Sequence, residues 1–176
     1  APGQGDRGIP AGIGITGAKV SGEVRNNGQI TVEGINDSDV YGIEIKYSDL
    51  SNADVVNSNT GKINVSGEEA IGIEVAGGTV KSITNAGTII AEGSEEGVGI
   101  SLVLDESSFA SGNLLGTTVQ GDLTNSGSIQ AKGGEESFGI EVNKGTIKGS
   151  LVNSGSIQAT GTSKVDGHED TAGIVL

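Results

Sequence analysis

The chain has 176 residues, 32 of them glycine, with two Phe, two Tyr and no Trp, Met or Cys. Ten basic residues against 23 acidic ones leave a formal net charge of −13, the wrong sign for nucleic acid or an anionic membrane surface as partner. No apolar run reaches the ~20 residues of a transmembrane segment, the aromatic content excludes a core built on large rings, and without Cys there is no support for disulfides or thiol chemistry.

Residues 1–10, APGQGDRGIP, hold both prolines and read as a lead-in segment or partial cap. The opening Ala1-Pro2 is expected of a processed chain or of a segment of something longer. Residues 11–176 form one repeat domain. Gly-Ile-x-aliphatic recurs at Gly12, Gly42, Gly72, Gly99, Gly139 and Gly173, at spacings of 30, 30, 27, 40 and 34. Between these, Asn-x-Gly-x-Ile recurs at Asn26, Asn59, Asn85, Asn125 and Asn153. Short motifs kept at an irregular period of this size mark a coil that stacks on copies of itself.

Within each repeat the apolar period is two, as in Val20, Val24, Ile30 and Val32, or Leu123, Ile129 and Ala131. The Gly-Ile stretches alternate likewise, which puts Tyr41/Ile43/Ile45, Ile71/Ile73/Val75, Val98/Ile100/Leu102 and Phe138/Ile140/Val142 on one face. Like segments pair with like one coil later. The expectation is an all-β chain: a right-handed parallel β-helix of about five coils, each of three short strands in three parallel sheets, roughly 25 Å long. Asn26, Asn85, Asn125 and Asn153 share the inward parity and would stack as an amide ladder. Asn57-Ser58-Asn59 is expected to break that ladder in the second coil.

Repeats such as GDLTNSGSIQA, KSITNAGTIIAEG and GSLVNSGSIQATG, each followed by a Gly-Ile strand, resemble the β-helical passenger regions of bacterial autotransporters and related surface adhesins. The resemblance covers residues 11–176. It implies export, an extracellular or cell-surface location, and a rod that carries or is the adhesive element. The sequence departs from that family in having no C-terminal β-barrel translocator within its 176 residues.

The clearest candidate chemistry is acidic. Asp39, Glu69, Glu96, Glu136 and Asp170 stand three residues before successive Gly-Ile glycines, with Ser38, Glu68, Glu95, Glu135 and Glu169 one further back. Stacking turns these into carboxylate columns at one corner. They read either as a solvated edge or as a column bridged by Ca²⁺, which prefers oxygen ligands; no other cofactor is indicated. Repetition in every coil argues against the separated acid/base pair of a glycosidase. His168, with no second His and no Cys, does not make a zinc site. No Gly-x-Ser-x-Gly elbow is present, and Gly3–Gly8 lies in a tail and not between a strand and a helix.

One insertion stands out, residues 103–117, VLDESSFASGNLLGT. Phe109, Leu114 and Leu115 either fold back on a sheet face or make a lateral contact. The apolar terminal strands, through Ile13, Ile15, Ile174 and Leu176, are expected to associate head-to-tail. Three functions follow: a non-enzymatic extracellular subunit that stacks into a surface fibre, a stalk or passenger fragment of an autotransporter-type adhesin with a host or cell-surface ligand, or a carbohydrate-binding or carbohydrate-active β-helix. Two Phe and two Tyr are poor material for the last, and Thr16, Thr31, Asn64, Ile90 and Gln130 do not form the Thr columns of an ice-binding face.

Overall fold

The computed structural model describes residues 10–35, 38–104, 116–161 and 170–176. Among these every element is a strand and every strand pairing is parallel. The first coil is β1 (Ala11–Thr16), β2 (Lys19–Asn26) and β3 (Gln29–Glu33). The second begins with β4 (Val40–Lys46) and β5 (Asp49–Asn57) and closes on the start of β6 (Lys62–Ala76). The third takes the end of β6, then β7 (Thr79–Asn85) and the start of β8 (Thr88–Val103). The fourth takes the end of β8, β9 (Thr118–Val119), β10 (Leu123–Asn125) and β11 (Ser128–Gly133). The fifth is β12 (Glu136–Asn143), β13 (Thr146–Ile147), β14 (Leu151–Asn153) and β15 (Ser156–Gly161), and β16 (Asp170–Val175) adds one strand above it.

The register follows the sequence repeats. Ile30, Ile63, Ile89, Ile129 and Ile157 stack in one column, and Ile13, Ile43, Ile73, Ile100, Ile140 and Ile174 in another. These and the columns through Val55, Ile83 and Leu123 fill a thin aliphatic core that runs the length of the stack. The architecture is a β-solenoid of about five turns.

The strand faces merge in a way that periodicity does not reveal. In β6 and β8 the backbone passes the acidic corner without leaving strand geometry, so two of the three expected faces join as one nine-stranded sheet opposite a seven-stranded one. Glycines make the tight corner: a Cβ on Gly97 would meet the Lys132 carbonyl, and one on Gly134 the Ser94 carbonyl.

The Gly-Ile strands also do not keep simple alternation. Val40 and Ala70 face the core, as do Ile43 and Ile73 three residues later, whereas Tyr41, Ile71, Val98 and Phe138 form a separate cluster. The glycine between takes an inward position itself. A Cβ on Gly42, Gly72, Gly99 or Gly139 would run into the Cγ2 methyl of Ile63, Ile89, Ile129 or Ile157 across the core. Two successive inward positions reset the parity and bend the strand, and the facing isoleucine fills the space that the missing side chain leaves.

The amide ladder is continuous. Asn26 Nδ2 donates to Asn57 Oδ1 at 2.9 Å, Asn57 to Asn85 at 2.8 Å, Asn85 to Asn125 at 2.7 Å and Asn125 to Asn153 at 2.8 Å. The expected break in the second coil is therefore corrected. Asn57 supplies the rung in place of Asn59, and the extra residues loop out in a turn closed by Gly61 N to Ser58 O (2.8 Å). Each of these donating Nδ2 atoms also reaches the carbonyl of the first residue of the corresponding strand one coil above, those of Lys62, Thr88, Ser128 and Ser156. That second bond fixes which amide atom is nitrogen, since a flipped amide would set oxygen against oxygen.

Candidate functional site

The outer side of the Gly-Ile strands carries the most unusual chemistry of the molecule. Because the parity resets at the glycine, Tyr41 and Glu44 both point away from the core on either side of the bend, and the same holds for Ile71 and Glu74, Val98 and Ser101, and Phe138 and Glu141. An apolar strip of Tyr41, Ile71, Val98 and Phe138 thus runs up the stack, continued by Ala172. It is buried, with exposures of 5%, 5%, 0% and 8%.

Two polar columns flank the strip. On one side Glu69, Glu96, Glu136 and Asp170 are direct strand partners, with Asp39 one residue before β4. On the other side Glu44, Glu74, Ser101 and Glu141 are partners in turn. The second column was not anticipated from sequence, because strict alternation gave no reason to place these residues beside the first. Both columns act on the same groups. Burial pushes the Glu96 carboxyl up to about 8, aided by Glu141, Glu69, Glu136 and Glu74 in that order. Glu69 and Glu136 are raised too, mainly by burial and then by neighbouring carboxylates.

At the low end of the strip the chain supplies its own cation. Lys46 Nζ lies 2.8 Å from Glu44 Oε1 and 3.7 Å from Glu74 Oε1. It also sits 5.1 Å from the centre of the Tyr41 ring, a cation–π contact. Burial, then the charges of Glu74, Asp39, Glu44 and Glu69, push the Tyr41 phenol up, so it stays neutral. The positions above Lys46 in register are Ala76, Val103 and Asn143. Replacing Lys46 with Met would leave the side chains of Glu44 and Glu74, 9% and 6% exposed, facing each other without the ammonium. A loss of about 3 kcal/mol at pH 7 is expected, read by urea denaturation. The exposed pairs Lys19–Asp49 and Arg25–Glu23 are solvent-screened and should contribute little.

The sequence-derived candidates separate here. The structure stacks Glu69, Glu96, Glu136 and Asp170, but among the described residues no three acidic or His groups converge as a metal site. Phe109, Leu114, Leu115, His168 and Glu169 lie outside the described residues. A hydroxyl overlooked in the sequence ties off the insertion that contains three of them. Thr117 Oγ1 donates to Val103 O at 2.6 Å and accepts from Gly77 N at 2.9 Å, joining the two ends of the excursion to the coil below. Ser48 does the same two turns earlier, between Lys46 O and Ala18 N. On the third face, open depressions lie along Asn64, Ile90 and Gln130, with Glu33, Glu92 and Lys132 at their rims. No helix among the described residues is long and apolar enough to cross a membrane.

Comparison with known proteins gives one result. The model of the family described as BigA third pectate lyase-like domain matches residues 3–176. No curated protein and no solved structure matches the chain. With the solenoid now described, the resemblance to the β-helical passenger repeats of autotransporters and related surface adhesins stands.

Proposed function

The chain belongs to the family of the BigA third pectate lyase-like domain, and from that premise we propose that it is a non-enzymatic β-helical module of an extracellular, surface-displayed adhesin-type protein. Its role is to extend a column and present its faces to a host or cell-surface ligand. The observation that carries this reading is the state of the terminal coils. Ile13, Ile15, Val20, Ile30 and Val32 at one end, and Val142, Ile147, Leu151 and Ile157 at the other, pack on the core but are only partly buried. Their stacked equivalents Ile43, Ile63, Ile89 and Ile129 are fully buried. Ile174 and Leu176 are 38% and 85% exposed. A further β-helical layer on each end would bring these side chains to core burial, each contributing a fraction of the about 1.5–3 kcal/mol that burying a fully exposed aliphatic side chain is worth.

The amide ladder sets the direction of that layer. It offers the exposed Asn153 amide at one end and the Asn26 Oδ1, already bonded to Gly28 N, at the other. Parallel sheets likewise continue only with strands of the same sense, so the added layer stacks head-to-tail. A second copy of the chain is one source of it and would give a filament.

The second reading, a stalk or passenger segment within a longer column, draws on the family's description as a third domain. The carbohydrate-active reading draws on the family's descriptive name. Against it, the carboxylates repeat from coil to coil along a strip without the fixed separation of an acid/base pair.

Light scattering and electron microscopy of the purified chain at rising concentration are the test. Filaments one column wide are expected if copies stack. A monomer at every concentration removes the filament, and antiparallel or face-to-face dimers would overturn end-on extension altogether.

A further inference from the structure

Beside the apolar strip stands a column of carboxylates that repel one another. Glu96 lies on β8, the central strand of the corner, with Glu69 of β6 and Glu136 of β12 as its direct strand partners. Successive strands are about 4.8 Å apart. From across the strip Glu74 of β6 and Glu141 of β12 act on the same carboxyl. On its own strand Glu92 and Glu95 precede it, and Glu68 and Glu135 flank the corner on the neighbouring coils. Further along the columns stand Asp39, Glu44 and Asp170. Two cations border this group: Lys46, engaged with Glu44 and Glu74, and the exposed Lys132 on β11 around the corner.

A carboxylate in that position has like charges above, below and across, and is largely out of water. A carboxylic acid in the same position repels none of them and can donate a hydrogen bond to a neighbour. We propose that Glu96 is a proton-operated latch: its carboxyl must be protonated for the third, fourth and fifth coils to close at the acidic corner, and its ionisation loosens that corner. The latch is independent of what the module binds. It makes the corner pH-sensitive, closed in mildly acidic surroundings and loosening as they become alkaline.

The sign follows from linkage. The folded Glu96 carboxyl titrates near 8 and the unfolded one near 4.5. Its stabilising contribution is therefore complete below the lower value and lost as pH rises through the upper one. Glu69 and Glu136 shift in the same direction and reinforce it. Asp49, held down to about 2 by hydrogen bonds from Ser51, and Asp54 and Glu23, both lowered, act oppositely, so their contribution fades only on acidification.

The test is thermal unfolding and binding of a hydrophobic dye between pH 5 and 9, on the wild-type chain, E96Q and the same-strand control E92Q. The wild-type and E92Q chains should lose about 5–10 °C in Tm from pH 6 to 9 and gain dye fluorescence over the same interval. E96Q should lose no more than about half of that and should be the most stable of the three at pH 9. Equal pH dependence in E96Q and the wild type overturns the latch. Should E96Q fail to fold, ¹³C NMR of the wild-type carboxyl decides: a Glu96 signal still protonated at pH 6.5 supports it, and one titrating near the ordinary glutamate value overturns it.

Discussion

Substituting Ala for Gly99 should cost about 3 kcal/mol or more, enough to remove a large fraction of the stability of a domain of this size. The added methyl would collide with the Cγ2 of Ile129 on the facing strand and would lie 2.5 Å from the carbonyl oxygen of Gly139 on the coil above. Neither neighbour can retreat. Ile129 is fully buried and stacked between Ile89 and Ile157, and the Gly139 carbonyl belongs to the next Gly-Ile strand in the sheet. Gly28→Ala is the matched control: a Cβ there meets nothing within 4 Å. It should change stability by less than about 1 kcal/mol in either direction. Urea titrations of the two variants decide the matter. Equal midpoints for G99A and the wild type would mean that the two walls do not approach this closely, and the account of the bent strand would go with it.

The second large effect is expected from a change of a single atom. Asn85 is fully buried; its Nδ2 donates to Asn125 Oδ1 (2.7 Å) and to the Ser128 carbonyl (3.4 Å), and its Oδ1 accepts from Asn57 (2.8 Å). In Asn85→Asp an oxygen replaces that nitrogen, and two acceptors then face a buried charge. The variant should lose roughly 3–5 kcal/mol at pH 7, the cost of a buried charge without its partners. Protonation restores one donor, so part of the loss should return below pH 5. This is a larger pH dependence than the wild-type ladder can have, since amides do not titrate. Asn153→Asp, on the exposed last rung, should be mild by comparison. If both variants melt alike, the ladder is a row of separate turn residues and not a buried network.

These two experiments bear on different kinds of legibility. The ladder could be read before any coordinates because amide, glycine and isoleucine recur at fixed local offsets, and the period of a strand carries an inward offset from one residue to the next. The exchange of Asn57 for Asn59 shows the limit of that reading. Both asparagines satisfy the local motif, and the one in register with Asn26 and Asn85 is selected by the coils on either side. The apolar strip and its second carboxylate column were hidden for a related reason. Strict alternation puts Tyr41 in the core with Ile43, and only the Ile63 methyl arriving from the facing wall makes the Gly42 position inward and turns Tyr41 out beside Glu44.

By itself the sequence determined that this chain stacks: strand periodicity, glycine spacing and amide placement are local properties, and parallel in-register pairing is the arrangement that satisfies all of them together. Only the tertiary structure decided which outward residues share a surface. That depends on how closely two walls approach across a core one side chain thick, a distance fixed by residues some 20 to 30 positions apart in the chain, such as Gly42 and Ile63 or Gly99 and Ile129.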